Sequence, residues 1–124
     1  MTSLDESHQT VLVVEDDGLV RFDTAETLRD AGFEVLEAGD AVEALAEVEQ
    51  RGDIRLLFTD INMPGEMDGI QLARKVHQLH PAIQVLLTSG KVRPRNGEFP
   101  DDGDFIAKPY SAASMTRAVC RMLA

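Results

Sequence analysis

Short runs of apolar residues alternate along the chain with longer segments in which apolar positions recur every three or four residues. That is the rhythm of strands joined by crossover helices to a buried parallel sheet. The first run, Val11-Leu12-Val13-Val14, is apolar at every position, as a central strand covered on both faces requires. Glu15, Asp16 and Asp17 end it. Val20, Thr24, Leu28 and Ala31 then share helical spacing over about 18–31, and Gly32 is placed to close that helix in a left-handed conformation.

Residues 33–38 read as a second strand. Asp40 and Glu43 form an aspartate version of the capping box ahead of Ala41, Ala44, Leu45 and Val48, with Gly52 placed to close the helix. Residues 54–59 form a third strand that delivers Asp60 at its carboxyl end, before a Pro64-Gly65 turn. Gly69 opens a helix whose Leu72, Ala73, Val76 and Leu79 share one face, and Pro81 stops it before a strand at 83–88. Pro94, Gly97, Pro100 and Gly103 make 91–104 mostly loop. A short strand at 105–107 precedes Lys108-Pro109, and Ser111 can cap a last helix bearing Met115, Val119, Met122 and Leu123. The expected architecture is α/β, a doubly wound sheet of five parallel strands over residues 10–124, with residues 1–9 as a disordered tail.

Charge narrows the partners. Twelve Lys and Arg face 22 Asp and Glu, a formal charge of −10, so nucleic acid and anionic membranes are disfavoured. The single cysteine, Cys120, excludes an intramolecular disulfide, and its neighbours Val119 and Met122 suggest a packed helix face in a reducing compartment. No apolar run reaches the roughly 18 residues of a membrane span, and the polar start lacks a signal-peptide core, so a cytoplasmic location is expected.

In an open parallel sheet, ligands bind outside the carboxyl ends of the strands. Glu15, Asp16, Asp60, Thr88, Ser89 and Lys108 follow or end those strands and should converge there. Two carboxylates ~4 Å apart repel by ~4 kcal/mol at an effective dielectric of about 20, so three of them call for a counter-charge. An oxygen-only set without Cys or His suits Mg²⁺ or Mn²⁺ rather than zinc. A carboxylate beside such a cation can attack phosphorus in line. Asp60 is the expected nucleophile, Glu15 and Asp16 the metal holders, Lys108 a point charge for a phosphoryl oxygen and Thr88 a hydroxyl donor to another.

Each residue alone has a plainer reading. Asp60 could merely end a strand, the three acids could serve a helix N-terminus, Lys108 could be solvated, and Thr88 and Phe105 could be packing. His77 and His80, three apart, read as a solvated helix end and receive no site, and Met115 and Met122 read as core filler.

Together, Val-Leu-Val-Val-Glu15-Asp16-Asp17, Thr59-Asp60-Ile61-Asn62-Met63-Pro64, Asp68-Gly69, Thr88-Ser89-Gly90 and Lys108-Pro109 resemble, over about 10–123, the receiver domain of two-component response regulators, of the chemotaxis-receiver kind. The resemblance implies a flavodoxin-like (βα)5 fold phosphorylated on Asp60 by a histidine kinase or histidine phosphotransfer protein. By matching positions it implies Asp16 and Asp60 as direct Mg²⁺ ligands, Glu15 acting through water, and the backbone carbonyl of Asn62 completing the protein's share. It further implies a switch in which the Thr88 hydroxyl moves toward the phosphoryl group while Phe105 turns inward. Three departures stand out: Asp60 to Asp68 is one residue longer than the commonest spacing, Ser89 replaces a small apolar residue, and the breaker-rich 91–104 implies an irregular or shortened fourth helix.

The expected function is therefore a phospho-accepting signalling module, monomeric or a phospho-dependent dimer. It would act through protein contacts and catalyse only its own phosphorylation and dephosphorylation. With no output segment after the domain, the reading is a stand-alone regulator or a receiver module detached from a hybrid histidine kinase. Two other classes of function fit the residues less well. A Mg²⁺-dependent phosphatase with an aspartyl nucleophile, like the haloacid dehalogenases, would need a second aspartate where Asn62 stands. A phosphorylation-independent interaction module would need an acceptor or metal residue to be missing.

Overall fold

The computed structural model describes residues 9–90 and 103–124. Five strands, β1 (Thr10–Val14), β2 (Glu34–Ala38), β3 (Ile54–Asp60), β4 (Gln84–Ser89) and β5 (Asp104–Ala107), form one sheet in the order β2-β1-β3-β4-β5. Every neighbouring pair is parallel. The helices α1 (Gly18–Asp30), α2 (Ala41–Gln50), α3 (Gly69–Leu79) and α4 (Ala112–Leu123) provide its two covering layers. Among the described residues, no helix is long and apolar enough to cross a membrane.

The continuous apolar runs are explained by burial on both faces. Along β1 and β3, Leu12, Val14 and Leu57 enter one core with Ala44, Val48, Leu72 and Val76, beneath α2 and α3. Val11, Val13, Leu56 and Phe58 point the other way, onto Ala25, Leu28, Met115 and Val119 of α1 and α4. Alternation of side chains along a strand thus supplies both cores from one short segment.

Several local expectations need correction. Cys120 is exposed, not part of the packed face; α4 buries Met115, Ala118, Val119 and Leu123, a stripe that Cys120 lies outside. Leu79 is 52% exposed, because the buried stripe of α3 ends at Val76. Ala31 is likewise exposed, as the C-cap of α1. Gly32 does adopt a left-handed φ of 102°, but Gly52 does not, and α2 ends at an extended Arg51 whose N–H reaches Glu47. The Glu43 carboxylate accepts from Gly39 rather than from Asp40, so the α2 capping box is shifted by one residue. A full capping box, Asp68 with Gln71, opens α3, and another, Ser111 with Ser114, opens α4. The expected irregular fourth helix falls mostly on residues outside the described ones.

Candidate functional site

Register gathers the rim. Val14 lies beside Thr59, Asp60 beside Thr88, and Ser89 beside Ala107, so Glu15, Asp60, Thr88 and Lys108 emerge at one end of the sheet. The acidic run after β1 divides its tasks. Glu15 is 5% exposed and faces inward, Asp16 is exposed, and Asp17 caps α1 by accepting from the N–H groups of Leu19 and Val20. The Glu15 backbone carbonyl is held by Arg21 Nη1 at 2.8 Å.

Lys108 bridges the centre. Its Nζ donates to Glu15 Oε1 at 2.6 Å and to Asp60 Oδ2 at 3.0 Å. Burial works against the ammonium, but these two carboxylates outweigh it and hold the Lys108 pKa above the ordinary lysine value. Burial pushes the Glu15 carboxyl above the ordinary glutamate value, even though Lys108 and the Asp17 N–H pull it down. The other Asp60 oxygen, Oδ1, accepts from the backbone N–H of Asn62 at 3.1 Å.

One carboxylate oxygen each from Glu15, Asp16 and Asp60 lies within 4.8 Å of the others. Three hard oxygen donors so close, two on nearly buried residues, fit a small divalent cation and no soft metal. The three carboxylates expected as ligands are thus brought together, and Asn62 follows on the loop after β3, its N–H bonded to Asp60.

Thr88 is 3% exposed, and its hydroxyl has no hydrogen-bond partner. With Glu15, Asp60 and Tyr110 it lines a cavity of about 10 Å³, at the lower limit for a single water. A buried donor left in this state is costly unless an acceptor arrives in another state of the protein. Phe105 is half-buried and packs against the core beneath α2 and α3.

Contacts around the rim add partners that periodicity does not name. Gly69 packs directly on the Asp60 carbonyl, and Ser89 Oγ donates to Asn62 Oδ1 at 2.6 Å. The Tyr110 hydroxyl pairs with Thr24 Oγ1 at 2.9 Å while its ring stacks obliquely on Phe58, with centroids 5.7 Å apart. Burial raises the Tyr110 pKa despite that hydrogen bond. Tyr110 follows Lys108 by two residues, but its Thr24 partnership spans 86 residues and no local pattern marks it.

Comparison with known proteins agrees with this geometry. Residues 11–120 match the response regulator receiver domain. The sensor kinase CckA of Brucella abortus is 36% identical over 118 residues, 92% of this chain but only 12% of that protein. The response regulator receiver protein CpdR of the same organism is 29% identical, with 91% of this chain and 95% of CpdR covered. A crystal structure of a response regulator receiver protein from Sinorhizobium medicae superposes with a TM-score of 0.85 at 28% identity, covering 94% of each chain. The chain therefore belongs to the response regulator receiver domain family.

Proposed function

We propose that Asp60 is the phosphoacceptor, within a receiver unit running over residues 10–124, and that the phosphoryl group comes from a phosphohistidine on a kinase or phosphotransfer protein. The observation that supports this most directly is the convergence of Glu15, Asp16 and Asp60 beside the Lys108 ammonium. An Asp60 carboxylate oxygen would attack phosphorus while the P–N bond of the donor breaks and the imidazole keeps the electron pair. Lys108 would neutralise charge on a phosphoryl oxygen, and the Thr88 hydroxyl would donate to another. Glu15, Asp16, Asp60 and the Asn62 carbonyl would hold Mg²⁺, or Mn²⁺ in its place. When bound, the cation supplies Lewis-acid stabilisation of charge developing on the phosphoryl oxygens.

A phosphoryl group of nearly two negative charges would bias the Thr88 and Phe105 positions, altering the surface that a downstream protein meets. The donor's approach is supported by an apolar patch beside the rim. Leu19 is 83% exposed and Phe22 58% exposed on α1, and Leu19 borders a groove with Lys108 and Pro109. Turnover would be confined to the chain's own phosphoryl group, in the cytoplasm.

Incubation with Mg²⁺ and acetyl phosphate, followed by intact mass measurement, tests the reading. A gain of one phosphoryl group that disappears in Asp60→Asn is expected. Labelling that persists in Asp60→Asn, or multiple turnover of acetyl phosphate without a labelled protein, would overturn it.

A further inference from the structure

Asn62 is exposed, on the loop that follows β3, yet both of its ends are tied. Its backbone N–H donates to Asp60 Oδ1 at 3.1 Å, and its side-chain oxygen accepts the Ser89 hydroxyl at 2.6 Å. Ser89 is itself 3% exposed, and its backbone carbonyl accepts the N–H of Lys108 at 3.0 Å. A single serine therefore links the strand end that carries Lys108 to the loop that carries Asn62. Position 89 closes β4, where the Ile61 N–H already donates to the Thr88 carbonyl at 2.8 Å, so the serine bond carries the β3–β4 pairing one residue further, onto the Asn62 side chain.

We propose that Ser89 is a positioning residue whose hydroxyl holds the Asn62 segment in place and so sets the divalent-cation affinity of the rim. This rests on the reading of the rim as a cation and phosphoryl site with the Asn62 backbone carbonyl as one ligand. A loop carbonyl free to rotate must be ordered when a cation arrives, and that entropy subtracts from binding. A carbonyl already fixed by bonds at both ends of its residue avoids the loss. Replacing Ser89 by an apolar residue removes one of the two ties and leaves every cation ligand in place. The consequence is weaker cation binding with the chemistry at Asp60 preserved.

Mg²⁺ titration calorimetry on the whole unphosphorylated chain, with thermal unfolding of each variant alongside, tests this. Ser89→Ala should weaken Mg²⁺ binding about three- to tenfold, the scale of one hydrogen bond between neutral groups. Ser89→Thr, which keeps the hydroxyl, should restore it. Asn62→Ala removes the same bond from its exposed end and should weaken binding similarly, and adding Ser89→Ala to it should weaken binding no further. In acetyl phosphate labelling of Ser89→Ala, the half-saturating Mg²⁺ concentration should rise by the same factor while the rate at saturating Mg²⁺ changes by less than about twofold.

Should Ser89→Ala fold poorly, Asn62→Ala carries the test alone. Unchanged Mg²⁺ binding in either folded single variant overturns the role of Ser89 and leaves the rim reading standing. Absence of Mg²⁺ binding by the wild-type chain, together with labelling that survives Asp60→Asn, overturns both.

Discussion

Gly69 packs so closely on Asp60 that a Cβ placed on it would lie 2.0 Å from the Asp60 carbonyl oxygen and 2.7 Å from the carbonyl carbon. The same glycine donates its N–H to the Ile61 carbonyl at 2.9 Å, which seats the start of α3 against the end of β3. The obstruction is backbone, with no flexible side-chain end to swing aside. Gly69→Ala should therefore push α3 and the strand end apart, costing about 1–3 kcal/mol in stability. Denaturant unfolding measures that cost. Acetyl phosphate labelling of the folded fraction should also slow, since Asp60 sits at the displaced end.

The unpaired Thr88 hydroxyl leads to an opposite effect on stability. Thr88→Val preserves shape and removes the buried donor, so the unphosphorylated protein should gain about 1 kcal/mol. The variant should still accept phosphate at Asp60. Its amide NMR shifts near β5 should respond less to phosphorylation than those of the wild type. Equal or lower stability in Thr88→Val would show that the hydroxyl is satisfied.

Tyr110 provides a spectroscopic handle, because the sequence contains one Tyr and no Trp. Its pKa is raised by burial, so the folded protein holds the phenol neutral at a pH where the unfolded chain, titrating near about 10, has begun to ionise. The associated stability is fully present below the unfolded pKa and is lost as pH rises through the folded one. Tyrosinate absorbance should appear at higher pH in native protein than in denaturant. Thermal midpoints should start to fall in the same alkaline window.

The apolar patch on α1 separates donor recognition from chemistry. Leu19→Ala removes an exposed side chain that borders the groove with Lys108 and Pro109 but contributes nothing to the acidic rim. Phosphoryl transfer from a purified phosphohistidine donor should slow about fivefold or more, as expected for an apolar anchor worth at least about 1 kcal/mol at an interface. Labelling by acetyl phosphate, which needs no docking surface, should match the wild type. Equal transfer rates from both donors would place the docking surface elsewhere.

The order of strands and helices, and the convergence of Glu15, Asp16, Asp60 and Lys108, were legible from residue pattern alone. Strands buried on both faces must be apolar throughout, and a parallel sheet brings every carboxyl end to the same side, so any polar residue just past such a run is assigned to one rim. Helix faces were legible only to within a residue. At roughly 100° per residue, a single step moves a side chain from the core to solvent, which is why Val119 is buried and Cys120 is exposed.

What only the tertiary structure decided are the partnerships across elements: Ser89 with Asn62, Thr24 with Tyr110, and Gly69 against the Asp60 carbonyl. Periodicity states which face a residue occupies. Whether two polar atoms on different elements come within hydrogen-bond distance depends on strand register, loop path and rotamer together, and these are set only when both cores pack at once.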